Sequence, residues 1–132
     1  MPTIFKVAWL LVENRRVLFA RSRKEKERFY CVGGKIKEGE GKIAALYREV
    51  EEETSVRLHL CSVEKLHTFH GEADGHPGVP LEIICYKAGY IGQPVPSGEV
   101  AELAWFTTSD MRRTTEVGKQ ILRWLHDQRL ID

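Results

Sequence analysis

GKIKEGEGKIAALYREVEEETSV, residues 34–56, passes from a glycine-rich bend into a stretch of helical periodicity that carries its charges on one side. Gly33, Gly34, Gly39 and Gly41 predict a turn, and the apolar spacing predicts a helix from about Lys42 to Thr54. At about 100° per residue, Ile43, Leu46, Tyr47, Val50 and Thr54 share one stripe, the face expected to pack on a sheet. Glu49, Glu52 and Glu53 stand at i, i+3 and i+4 beside it, so they are neighbours on the helix surface. Carboxylates at this spacing repel one another, and a divalent cation reverses the sign of that cost. A solvated acidic face is the commonplace alternative, but the glycine bend and the Arg48–Glu49 pair argue for a magnesium site serving phosphate chemistry.

Working outward, residues 4–12 are apolar at both alternating sets of positions, Val7, Trp9, Leu11 and Ala8, Leu10, Val12, which predicts a strand buried on both sides. Residues 13–16 read as a polar turn and 17–20 as a second strand. The run RSRKEKER, 21–28, reads as a solvated loop, and 29–32 lead into the glycine turn. Residues 56–69 and 81–91 read as strands joined by the loop HGEADGHPGVP, 70–80. GQPVPSG, 92–98, is another loop, 99–106 ends extended, and a second helix follows with Val117, Ile121, Trp124 and Leu125 as its stripe. Mixed strands with two principal helices predict an α/β fold, a sheet covered on both faces. Trp9, Trp105 and Trp124 are expected in the core.

The 132 residues suit one domain over 1–132, and 42% hydrophobic with 30% charged residues is the make-up of a soluble globule. A net charge of +1 gives no support to a nucleic-acid polymer or a membrane surface as partner. Cys31, Cys61 and Cys85 show no CxxC spacing and fit reduced thiols, and the N-terminal apolar run is too short to span a bilayer, so a cytoplasmic location is expected. His67, His70, Glu72, Asp74 and His76 match no standard zinc spacing.

The window resembles the Nudix hydrolase box: G, five residues, E, seven residues, then R-E-apolar-x-E-E-x-G-apolar. It maps onto Gly34, Glu40, Arg48, Glu49, Val50, Glu52, Glu53, Ser55 and Val56, and Ser55 alone departs. Six fixed positions at average usage match by chance on the order of once in ten million starts, so coincidence is set aside. Ser55 stands where glycine accepts a left-handed conformation, at a cost of about 1–2 kcal/mol, or the helix ends differently.

The resemblance implies a Nudix-type α/β/α sandwich, a mixed β-sheet flanked by helices. It implies Mg²⁺- or Mn²⁺-dependent hydrolysis of a nucleoside diphosphate linked to another group. By family analogy Glu52 and Glu53 are metal ligands, Glu49 is a third ligand or the water-activating base, and the Gly33 carbonyl completes the shell. Arg48 and Glu40 orient the acids by ion pairing, with Gly34 structural in the motif. Glu99, or alternatively Glu102, supplies a base from a later loop, and Arg21, Arg23 and Lys35 bind substrate phosphates. Gly71 and Glu72 occupy the place of a proline found in ADP-ribose hydrolases, and no tyrosine occurs between Val56 and Val79, where dinucleoside polyphosphate hydrolases carry one. Both absences lean toward nucleoside triphosphates, with nucleoside diphosphate sugars, other small diphosphates and a catalytically silent nucleotide-binding module as alternatives. Dimers are common in the family, so a homodimer stays open.

Overall fold

The computed structural model describes residues 2–24 and 27–132. Its main sheet runs β2 (Val12–Glu13), β3 (Arg16–Ser22), β4 (Tyr30–Lys35), β1 (Ile4–Trp9), β7 (Pro80–Lys87), β6 (Glu64–Glu72), with β9 (Val100–Phe106) paired to β3. The sheet is mixed: β1 lies antiparallel to β4 and parallel to β7. Two short strands, β5 (Arg57–Leu58) and β8 (Tyr90–Ile91), form a separate antiparallel pair. Helices α1 (Lys42–Thr54) and α2 (Glu116–Asp127) cover opposite faces. This is the flanked mixed sheet that the strand and helix pattern predicts.

The double-sided reading of residues 4–12 explains the two-core arrangement. Val7, Trp9 and Leu11 pack with Leu46 and Val50 of α1, whereas Ala8 and Leu10 join the cluster under Ile121, Leu122 and Leu125 of α2. Asn14 and Arg15, both at positive φ, close the β2–β3 hairpin, a backbone sign that matches the twist of the strands.

Several boundaries differ from expectation. Gly33 and Gly34 lie inside β4, paired with Ala8 and Val7, and the bend belongs to the residues after Lys35. Arg21 and Ser22 extend β3 because β9 pairs with them across an irregular register, and Glu25 and Lys26 of the expected loop lie outside the described residues. Residues 56–69 are broken by a 3₁₀ turn at Leu60–Ser62. The run 81–91 stops at Lys87, and residues 70–72 remain in β6. Helix α1 has the expected span, but its buried side is Ala45, Leu46, Val50 and Thr54, with Ile43 exposed. Trp9 is fully buried, whereas Trp105 and Trp124 are half-buried, the latter stacked on His67. Ser55 takes the left-handed conformation, φ 64°, and its N–H caps Glu51. The helix therefore ends as a glycine would end it.

Candidate active site

Helix α1 sends Arg48, Glu49 and Glu53 toward β4, and Arg48 is the hub for Glu40, Glu49 and Glu52. Its guanidinium grips Glu40 through two bonds of 2.7 and 2.8 Å, donates to Glu49 at 2.7 Å and to the Lys35 carbonyl at 3.1 Å, and reaches Glu52 at 3.4 Å. Glu40 also accepts from the Lys37 N–H, so this paired fork fixes the bend to the helix. Its bonds to Arg48 hold the Glu40 carboxyl down at about 2. The same partners raise the Arg48 guanidinium further above its ordinary range.

Glu53 is treated differently. Its carboxyl accepts from the Gly33 N–H at 2.8 Å, and burial, joined by the charges of Glu49 and Glu52, pushes it up to about 8. Gly34 makes room for Glu49: a Cβ there would stand 2.3 Å from that carboxylate. Among the described residues the acids do not converge into a preassembled cage, because Arg48 holds Glu49 and Glu52 while Glu53 is turned to Gly33.

The loop 92–98 is tied to the end of α1. Val95 and Ser97 donate to the carbonyls of Thr54 and Glu53, groups a helix C-terminus otherwise leaves without partners. This brings exposed Glu99 up to the site, where its charge, behind burial and Glu53, helps raise the Tyr30 phenol. Glu102 instead pairs with Arg21 at 3.1 Å across β9 and β3, and Arg21 also lies over the Phe29 ring. Arg21 is thus engaged within the sheet. Arg23 donates to the Gly98 carbonyl beside Glu99.

A cavity of about 480 Å³ opens from Glu49 and Glu53 across the other face of the sheet. Its lining includes Lys6, Lys35 and Tyr30, the apolar Leu81, Ile83 and Val117, and the polar Arg28, Glu72, Asp74 and Thr115. Arg28 pairs with Asp74 at 2.8 Å. Sequence reasoning missed Lys6, although a cation inside an apolar strand was the available signal. His67 stacks on Trp124 on the α2 side of the sheet, whereas His70 pairs with Glu82 on the opposite face.

The donor set fits a hard divalent cation. It consists of carboxylate oxygens, one of them buried and short of a counter-charge, with Glu49 seated against Gly34 where any side chain would displace it. One consequence concerns the metal-free protein. Glu53 folds with its pKa raised from 4.5 to about 8, so the folded state holds a proton that the unfolded state releases. Stability is therefore full below pH 4.5 as far as this group is concerned, and it falls as pH rises to about 8, by on the order of a few kcal/mol. Denaturation midpoints in chelator across that range should show the decline, and Glu53→Gln should flatten it.

The NUDIX domain family model matches residues 4–125. No curated protein matches the chain. Among solved structures, a nudix hydrolase family member from Chromobacterium violaceum is 25% identical, with TM-score 0.75 over 97% of this chain and 79% of that one. The MutT NUDIX hydrolase from Burkholderia pseudomallei is 22% identical, with TM-score 0.76 over 93% and 98% of the two chains. A NUDIX hydrolase from Nitrosomonas europaea is 18% identical, with TM-score 0.77 over 98% and 93%. Among the described residues no helix is long and apolar enough to cross a membrane. With Glu40, Glu49 and Glu52 of its box held by Arg48 and Glu53 by Gly33, the chain belongs to the Nudix family, hydrolases acting on diphosphate bonds.

Proposed function

We propose that this protein is a Mg²⁺-dependent pyrophosphohydrolase that cleaves a nucleoside diphosphate linked to another moiety, with a nucleoside triphosphate, split to monophosphate and pyrophosphate, as the favoured substrate. The observation that carries the reading is the complete set of Glu49, Glu52 and Glu53, the first two held by Arg48 and the third by the Gly33 N–H, beside a cavity of nucleotide size. A catalytically silent module has no use for three carboxylates kept together against their repulsion.

Glu52 and Glu53 would hold the cation, with Glu49 and the Gly33 carbonyl as further donors. When bound, Mg²⁺ (Mn²⁺ is the alternative) supplies charge neutralisation at the phosphates and acidifies a water. The remaining work belongs to the chain. Water adds to a phosphorus as the bridging P–O bond breaks, and a carboxylate, Glu49 or Glu99, takes the proton. Arg48 fixes the direction of Glu49 through a bond of 2.7 Å, so the base has one orientation rather than many. Arg23 and Lys35 offer charge to the phosphates. Arg21, held by Glu102, contributes by anchoring β3 beside them. Leu81, Ile83 and Val117 present an apolar surface to the nucleoside end.

Incubation with Mg²⁺ and a panel of nucleoside triphosphates, nucleoside diphosphate sugars and dinucleoside polyphosphates should release pyrophosphate from at least one triphosphate. Chelator should abolish the release, and Mg²⁺ in excess should restore it. Release that survives exhaustive chelation would remove the metal from the mechanism.

A further inference from the structure

Lys6 of β1 and Lys35 of β4 are direct cross-strand partners in the sheet. Residues opposed in this way project from the same face, and like charges so placed destabilise the pair. Both line the cavity beside Glu49 and Glu53. Among the described residues neither ammonium makes a hydrogen bond or an ion pair. The charge of Lys6 lowers the proton affinity of Glu53, yet Glu53 is bonded to the Gly33 N–H and not to Lys6. Lys6 is also half-buried, in a strand whose other residues from Val7 to Trp9 are fully buried. An apolar or uncharged residue would serve the fold better here. Two adjacent cations with no internal partner, facing a cavity that ends in metal-binding chemistry, make sense when a multiply charged anion completes them.

We propose that Lys6 is a substrate-binding residue, and that with Lys35 it forms a two-lysine seat for the oligophosphate of the substrate. The inference rests on the diphosphate-hydrolase reading, and it assigns to that site a cation that the box motif does not contain. Lys35 alone, exposed at the end of β4, is a solvated point charge. Lys6 adds a second charge from the cavity wall and fixes the anion against the apolar surface of Ile83, its neighbour on β7.

The test uses the whole chain and inorganic pyrophosphate as probe. Lys6→Met keeps the stem that packs in the wall and removes only the charge. The free variant should melt about 1–4 °C above wild type, because the repulsion is gone. It should also lose most of the stabilisation that pyrophosphate with Mg²⁺ gives wild type, and its KM for the triphosphate found in the panel should rise about tenfold with kcat changed little. A residue of purely structural value would lower the melting temperature and leave KM alone. Unchanged KM and undiminished pyrophosphate stabilisation, in a wild type that does hydrolyse a diphosphate, would overturn the seat while leaving the hydrolase reading intact. Pyrophosphate protection that depends on Lys6, in a protein that hydrolyses nothing in the panel, would uphold the seat and fail the hydrolase reading instead.

Discussion

Glu53→Gln should lower kcat by about a thousandfold while making the metal-free fold more stable at neutral pH, and Glu52→Gln should follow it in activity. The separation of the two effects comes from the site itself. In the metal-free protein Glu53 carries a proton at neutral pH, since burial has pushed it up to about 8. Glutamine copies that neutral form, and its amide oxygen can still accept from the Gly33 N–H that holds Glu53 at 2.8 Å. What glutamine cannot do is become an anion when a cation arrives. Glu52 is half-exposed and only loosely held by Arg48 at 3.4 Å, so its replacement disturbs no buried contact. The measurement pairs pyrophosphate release at saturating Mg²⁺ with thermal melting. Full turnover in both variants would end the assignment of these residues to the metal.

Gly33→Ala should cost about 3 kcal/mol or more and lower the melting temperature by roughly 10 °C or beyond. Gly33 sits at φ 151° within β4, and an added Cβ would stand 2.0 Å from the Val7 carbonyl oxygen and 2.7 Å from the Ala8 Cα. These are backbone atoms of the strand at the centre of the sheet, so no side-chain rotation relieves the clash. The same residue carries the N–H that positions Glu53, and activity should fall with stability. Gly41→Ala is the control: its Cβ would meet nothing within 4 Å, and the change should cost no more than about 1 kcal/mol. Equal melting of Gly33→Ala and wild type would refute the crowding argument.

The box and residues 4–9 are legible because each has a one-dimensional signature, whereas the strand expected to run to Val12 ends at Trp9 and Val12 opens β2. Helix periodicity predicts α1 to its observed ends, and double alternation predicts burial on both sides of β1. The places where reading failed depend on partners far along the chain. Gly33 and Gly34 signal a turn by composition, yet pairing with β1 keeps them extended. Arg21 and Glu102 are separated by most of the chain, and only the β3–β9 register reveals that they neutralise each other. The burial of Ala45 in place of Ile43 reflects the angle at which α1 meets the sheet, which spacing alone does not fix. Likewise Lys6 is ordinary as a lone cation and informative once Lys35 is found opposite it.

The position of β1 has a consequence for the birth of the molecule. Its two neighbours, residues 30–35 and 80–87, both follow it, and the second is a parallel partner reached only after a long excursion. During synthesis this apolar segment must therefore wait, its far edge unmatched, until more than half of the chain has left the ribosome. High contact order of this kind slows folding and lengthens exposure to aggregation, so any dependence on chaperones should originate in this central strand rather than at the acidic helix.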